Sequence, residues 1–122
     1  MRILFVCLGN ICRSPLALAI ARHRAAARGL AGRVTFDSCG TGHWHVGGPA
    51  DPRTVDVARS HGVPIDHVAR QWCEADLSKF DLIVAMDRQN LRDLERGGAR
   101  GAHVRLMRSF DPLLAGYADD DR

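Results

Sequence analysis

The sequence predicts an α/β domain: a three-layer sandwich in which a four-stranded, mostly parallel sheet has helices on both faces. Short apolar runs of strand-forming residues alternate along the chain with stretches of helical periodicity, an order typical of parallel sheets. The length of 122 residues suits one hydrophobic core and not two. With 46% hydrophobic and 25% charged residues, the composition is that of a globular protein and not of a disordered chain.

Four strands are predicted where an apolar or alternating run of strand length is bounded by turn residues. The first and third of these runs are apolar throughout and predict buried strands, whereas the second alternates between apolar and polar residues. In chain order the predicted strands are 3–6, 33–38, 82–86 and 103–107.

Two of the predicted helices begin with a capping residue followed by a proline. Ser14-Pro15 and Asp51-Pro52 each place an N-cap side chain before a proline in the first turn, where the missing N–H costs nothing. Glycines just past the periodic stretches, such as Gly29, predict where the helices end. The predicted helices are 14–28, 52–61, 74–78 and 88–96.

Several functional classes are excluded by composition. The net charge is only +3, Lys79 is the only lysine, and the arginines are scattered, so no nucleic-acid-binding surface is predicted. No apolar run approaches the roughly 20 residues of a membrane span, and the N-terminus does not resemble a signal peptide. We therefore expect a cytoplasmic protein with no membrane partner. The four cysteines show no CxxC spacing, so neither a metal nor another cofactor is predicted.

The segment with the strongest chemical signal joins the first strand to the first helix. Cys7 ends the strand, and backbone N–H groups of residues 8–13 can converge on one point beside a helix N-terminus, which makes an anion site. The same field favours a cysteine thiolate. Gly9 permits the tight turn. Arg13 can hold two phosphate oxygens with its forked donors, and Ser14 can donate to the Cys7 sulfur and improve it as a leaving group.

A cysteine that ends a first strand is, by itself, as consistent with core packing as with catalysis. The complete Cys-x5-Arg-Ser pattern between a strand and a proline-started helix favours a functional site. It predicts phosphate-ester hydrolysis with a thiolate nucleophile, an oxyanion cradle and a planar cation.

Residues 7–15 resemble the signature loop of the low-molecular-weight protein tyrosine phosphatases at every position. The resemblance extends over essentially the whole chain, through 37–38, 44–47, 51–53, 61–62, 67–71, 85–87, 90–91 and 109–112. It implies the phosphotyrosine phosphatase I-like fold for a single domain, residues 1–122. It also implies hydrolysis of phosphotyrosine in protein substrates through a cysteinyl-phosphate intermediate.

The resemblance also implies a role for individual residues. Cys7 attacks phosphorus, Arg13 binds the phosphate and stabilises the transition state, and Ser14 assists the thiolate. Trp44 forms an aromatic wall for the substrate ring. The phosphate-binding loop consists of Leu8, Gly9, Asn10, Ile11, Cys12 and Arg13.

The resemblance also implies which residues support this loop. Asn10 is expected to hold it through hydrogen bonds with Ser14, Ser38 and His67. Cys12 is the second loop cysteine, which can form a reversible disulfide with Cys7. The remaining two cysteines are expected to be inert thiols.

Two positions depart from the family pattern. The family has an acidic residue at the position of Leu18, where it helps to charge the nearby histidine, here His67. The family's general acid is an aspartate in a second Asp-Pro motif, downstream of the one that Asp111 begins. The 122-residue sequence ends before that motif, so we expect a domain without the general-acid loop and the last helix.

The sequence leaves three further functions open. An arsenate reductase of the same fold needs further, closely spaced cysteines, and Cys39 and Cys73 do not match that arrangement. A catalytically weak phosphate- or phosphotyrosine-binding module would fit the missing general-acid segment. Phosphoarginine is another conceivable substrate, although the apolar Ile11 beside Trp44 suits an aromatic ring better. The sequence does not indicate an oligomeric state.

Overall fold

The computed structural model describes residues 1–110, the side chain of Ala102 excepted, and is built on a four-stranded sheet. Its strands run in the order β2-β1-β3-β4, and all three pairings between neighbouring strands are parallel. The prediction of a mostly parallel sheet is therefore confirmed. The strands are β1 (Arg2–Cys7), β2 (Thr35–Gly40), β3 (Leu82–Ala85) and β4 (Val104–Leu106).

The strand order reverses at β1, because β2 lies on one side of it and β3 on the other. In open parallel sheets such a reversal leaves a crevice at the carboxyl ends of the strands, where ligands bind. Cys7 is the last residue of β1 and lies at this crevice.

Four helices connect the strands, and two short 3-10 helices, Gly101–His103 and Met107–Phe110, flank β4. The sequence did not predict these two short turns. No helix within residues 1–110 is long and apolar enough to cross a membrane. The helices are α1 (Arg13–Ala27), α2 (Pro52–Ser60), α3 (Asp76–Lys79) and α4 (Arg88–Arg96).

The core has two layers, one on each face of the sheet. Side chains of a strand point alternately to opposite faces. On β1, Leu4 and Val6 pack in one buried cluster with Leu94 of α4. Phe5 points the other way and packs with Leu18 of α1. The helices therefore cover both faces, which confirms the predicted sandwich.

The start of α1 differs from the prediction. Ser14 does not cap this helix: the helix begins at Arg13, and Cys12 occupies the N-cap position without a side-chain cap hydrogen bond. The Ser14 hydroxyl instead bonds Cys7 and Asn10, because a tertiary partner competes with the local cap. At α2 the prediction is confirmed, since Asp51 accepts a hydrogen bond from Arg53 N–H.

Candidate active site

The loop from β1 to α1 turns at Asn10. Asn10 has a φ of 58°, and it is the one non-glycine residue within residues 1–110 with a positive φ. Asparagine tolerates this left-handed conformation better than most residues, but the conformation still needs support from its surroundings. The support comes from burial, since Asn10 is fully inaccessible to solvent, and from hydrogen bonds at both ends of its amide side chain.

Asn10 is the centre of a buried network. Its Nδ2 donates to Ser14 Oγ at 2.8 Å and to Ser38 Oγ at 3.0 Å, and its Oδ1 accepts from the Arg70 N–H at 2.9 Å. Its backbone oxygen lies 2.7 Å from His67 Nε2, a contact that requires the proton on Nε2. Ser14, Ser38 and His67 are the three partners that the resemblance implies, whereas Arg70 was not singled out from the sequence.

Cys7 lies at the floor of the loop. Its side chain is buried, and its Sγ lies 2.9 Å from Ser14 Oγ and 3.3 Å from the Asn10 N–H. It also faces the N-terminal end of α1, where the helix dipole is positive. The sulfur therefore lies beneath the loop, where it can act as a nucleophile toward a group that the loop binds.

Arg13, the first residue of α1, forms an ion pair that the sequence did not predict. Its Nη1 lies 2.8 Å from Asp87 Oδ2, and both side chains are about half exposed. Asp87 itself caps α4 by accepting the Asn90 N–H at 2.8 Å. Burial tends to raise the pKa of Asp87, but the hydrogen bonds from Asn90 and Arg13 outweigh it and bring the pKa below its usual value. The carboxylate thus orients the guanidinium beside the loop.

Gly40, the last residue of β2, lets the loop approach the sheet. A Cβ on Gly40 would lie only 2.6 Å from the Leu8 carbonyl oxygen and 3.1 Å from the Asn10 nitrogen. No real side chain fits at the shorter of these distances, so any other residue here would push the loop outward. The strand predicted over 33–38 ends before Gly40, because its pairing with Cys7 and its bridge to Gln71 are not visible in a local pattern.

An apolar rim stands beside the loop. Trp44 is two-thirds exposed and stacks on His43 with ring centroids 5.5 Å apart. Trp44 and Ile11 line the same cavity of about 420 Å³, together with Val46 and the turn before α2. Leu8 is also half exposed on this loop. When the loop binds the phosphate of an ester, the rim therefore offers an apolar surface to the organic group that extends out of the loop.

Leu18 occupies the position where the resemblance implies an acidic residue. It is buried and packs with Phe5 and Val84 in the core. It also lines a cavity of about 340 Å³ together with Pro15 and His67. Leu18 therefore provides no carboxylate for the His67 ring, and the acidic side chain that lines this cavity is that of Asp66, the residue before His67.

The other thiols differ from Cys7 in their surroundings. Cys39 is completely buried, and burial raises the pKa of its thiol far above the usual value. Cys73 is exposed, and Cys12 Sγ lies 3.7 Å from Asp51 Oδ2. Within residues 1–110, no three His, Cys, Asp or Glu side chains are grouped so that they could hold a metal ion. Asp111 lies outside the described residues.

Comparison with known proteins agrees with this geometry. The family model for "Low molecular weight phosphotyrosine protein phosphatase" matches residues 2–119. A low molecular weight protein-tyrosine-phosphatase from Streptomyces coelicolor is 50% identical over 118 residues, which are 94% of this chain and 72% of that protein.

Solved structures give the same result. YfkJ from Bacillus subtilis superposes with a TM-score of 0.89 at 42% identity, covering 92% of this chain and 72% of that one. DARP, a Drosophila arginine phosphatase, superposes with a TM-score of 0.78 at 35% identity, covering 87% of this chain and 69% of that one. This chain therefore belongs to the low molecular weight phosphotyrosine protein phosphatase family.

Proposed function

We propose that this protein hydrolyses phosphotyrosine in protein substrates with Cys7 as the nucleophile and residues 8–13 as the phosphate-binding loop. One observation carries the proposal. The Cys7 sulfur lies at the floor of a helix-starting loop, within hydrogen-bond distance of Ser14 Oγ and the Asn10 N–H. Arg13 closes the same loop. A phosphoryl group seated there meets a nucleophile, N–H donors and a planar cation at once.

The reaction proceeds in two displacements. Cys7 Sγ attacks phosphorus, an S–P bond forms, and the P–O bond to tyrosine breaks with its electron pair on the phenolate oxygen, which takes up a proton from solvent. Water then attacks the phosphorus of the cysteinyl-phosphate, and inorganic phosphate forms as the attacking water gives up a proton to solvent. The S–P bond breaks with its electron pair on the sulfur, which leaves as a thiolate. The Ser14 hydroxyl stabilises that thiolate by donating to it across the 2.9 Å contact. Arg13 binds the equatorial oxygens in both steps.

The rim supports an aromatic substrate. Exposed Trp44 and the Ile11 side chain flank the loop and can pack on a phenyl ring. The Asp51 carboxylate also lines this cavity, but it is already paired with Arg53 at 3.0 Å. We expect kcat/KM for a phosphotyrosine peptide to exceed the values for matched phosphoserine and phosphoarginine peptides. Phosphate release from the three peptides, measured under identical conditions, tests this order. Preferential turnover of phosphoarginine would contradict the proposed substrate class.

Arsenate reduction and phosphate binding without turnover fit the site less well. Arsenate reduction needs a relay of closely spaced thiols, and Cys39 is buried in the core while Cys73 is exposed. A module that only binds phosphate needs no hydroxyl group beside the sulfur, yet Ser14 Oγ lies 2.9 Å from it.

We also propose that the polypeptide of residues 1–122 lacks a general acid of its own. A positioned acid typically contributes about 10²–10⁴-fold by protonating the leaving group. A nitrophenolate needs this help little, whereas a tyrosine phenolate, with a pKa of about 10, needs it much more. We therefore expect kcat of the 122-residue polypeptide to fall steeply as the leaving-group pKa of a series of aryl phosphates rises.

A matched control adds a downstream Asp-Pro-aromatic segment to this polypeptide and should rescue peptide substrates selectively. A flat dependence of kcat on leaving-group pKa, together with good peptide turnover, would instead place the acid within residues 1–122. Asp111 would then be the first candidate to replace.

We propose a cytoplasmic location with phosphoproteins as the partners, and neither a nucleic acid nor a membrane surface. The four cysteines are free thiols, which is typical of proteins in reducing compartments. Catalysis by a thiolate also requires that Cys7 stay reduced.

A further inference from the structure

We propose that Arg70 is a positioning residue for the phosphate loop, and that it acts through Asn10. The inference rests on the proposed function, because it assigns a task to Arg70 within that same site. Arg70 lies between α2 and α3 in a segment that adopts neither helix nor regular strand. The guanidinium and the backbone of Arg70 have separate partners, and the two sets of contacts join distant parts of the fold.

The guanidinium is held by two carboxylates. Its Nη1 and Nη2 lie 3.1 Å from Asp76 Oδ2 and Oδ1 respectively, which is a two-pronged contact. Its Nε and Nη2 lie 3.3 Å and 3.1 Å from Asp37 Oδ2. Asp37 belongs to β2 and Asp76 to α3, so Arg70 ties its own segment to the sheet and to a helix.

Asp76 makes this attachment strong. It is 1% exposed, and its Oδ2 also accepts the Cys73 N–H at 2.9 Å. Burial by itself would raise the pKa of Asp76, but the hydrogen bonds from Arg70 and Cys73 outweigh that effect and lower it. Moving the guanidinium away would leave the buried Asp76 carboxylate unpaired, which is strongly unfavourable. The pair with Asp76 therefore holds Arg70 in place. Lysine cannot reproduce the forked contact.

The backbone of Arg70 carries that fixed position to the loop. Its N–H donates to Asn10 Oδ1 at 2.9 Å, and its carbonyl oxygen accepts the Gly40 N–H at 2.9 Å. Asn10, in its left-handed conformation, points its own N–H at Cys7 Sγ. A continuous line of contacts therefore runs from the two carboxylates through Arg70 and Asn10 to the nucleophile.

This line predicts what happens when the guanidinium is removed. The segment that carries the Arg70 N–H is no longer pinned, so the Asn10 amide loses the donor that fixes its orientation. The Asn10 Nδ2 contacts with Ser14 and Ser38 and its N–H contact with Cys7 then become looser. Misplacement of a catalytic group by about 1 Å can cost on the order of 10²-fold in rate. Phosphate binding and thiolate formation should both suffer.

The test uses the double variant R70M/D76N, which removes the guanidinium without leaving a buried unpaired carboxylate. Two readouts need no turnover: the Kd for inorganic phosphate and the pH profile of Cys7 alkylation by iodoacetate. We expect phosphate to bind about 10–100-fold more weakly and the alkylation profile to move to higher pH. The single variant R70K should show smaller changes in both readouts than R70M/D76N, but it should not match the wild type. The control is R96M, which removes an arginine paired with Asp93 on the surface of α4.

A double-mutant cycle with N10A distinguishes positioning from stability alone. If Arg70 acts through Asn10, the loss of phosphate affinity in R70M/D76N/N10A should be close to the loss in N10A alone. The reason is that both sets of substitutions break the same line of contacts. Additive losses would overturn the inference. So would a lower Tm for R70M/D76N with unchanged phosphate affinity and alkylation profile. A wild-type chain that binds phosphate but does not hydrolyse would count against the proposed function, and these two readouts would still decide the role of Arg70.

Discussion

Replacing Cys7 with serine is expected to abolish hydrolysis while phosphate binding persists. The cradle consists of backbone N–H groups and Arg13, which the substitution leaves in place, but serine has no thiolate to attack phosphorus. Loss of a nucleophile typically lowers kcat on the order of 10⁴–10⁶-fold. Release of nitrophenol from nitrophenyl phosphate measures the loss, and titration calorimetry with inorganic phosphate measures the binding that should remain.

Cys73→Ser is the matched control, because Cys73 is an exposed thiol outside the loop. It should leave kcat within about twofold of the wild-type value, since surface substitutions of this kind usually have small effects. Substantial turnover by Cys7→Ser would show that the nucleophile is another residue. Loss of phosphate affinity together with loss of activity would mean that Cys7 contributes to the shape of the loop and not only to its chemistry.

Replacing Arg13 with lysine should also lower activity severely, although the charge is retained. The planar guanidinium can bind two phosphoryl oxygens while Asp87 holds its Nη1 at 2.8 Å. An ammonium group is a point charge and cannot do both. By analogy with the removal of one oxyanion donor, kcat/KM should fall about 10²–10³-fold. Steady-state kinetics with nitrophenyl phosphate give this ratio directly.

The control for this prediction is Arg59→Lys. Arg59 is also paired with an aspartate, Asp56 at 3.7 Å, but on the exposed side of α2. Its replacement should leave kcat/KM unchanged, because exposed ion pairs contribute little. If Arg13→Lys kept most of its activity as well, the forked contact with phosphate would not be the basis of transition-state stabilisation.

The fold was largely predictable because its signals are local. The apolar runs of β1 and β3 and the Asp51-Pro52 start of α2 each depend on a few adjacent residues. The errors arose where a distant contact overrides a local preference. Ser14 has the chemistry of an N-cap, but Cys7 and Asn10 bind its hydroxyl in the folded chain.

The reacting residues of the site could be predicted from the sequence, but several of the residues that position them could not. Cys7 and Arg13 belong to one short motif, so their spacing is visible in the sequence. Asp87 and Arg70 reach that motif across 74 and 60 positions of the chain, so no local spacing reveals them. Gly40 was equally hidden in the sequence. Only a residue without a side chain fits there, and the reason is the distant loop that packs on it.

Transfer of a phosphoryl group to the sulfur of Cys7 can be observed by trapping the covalent intermediate. The wild-type protein is mixed with an aryl phosphate, quenched within milliseconds to seconds and digested for peptide mass analysis. Phosphorus NMR of the quenched protein identifies the type of bond. We expect one phosphoryl group on the peptide that contains Cys7, with the resonance of an S–P linkage. Phosphate on an oxygen atom of another residue, or turnover without any covalent intermediate, would contradict the account.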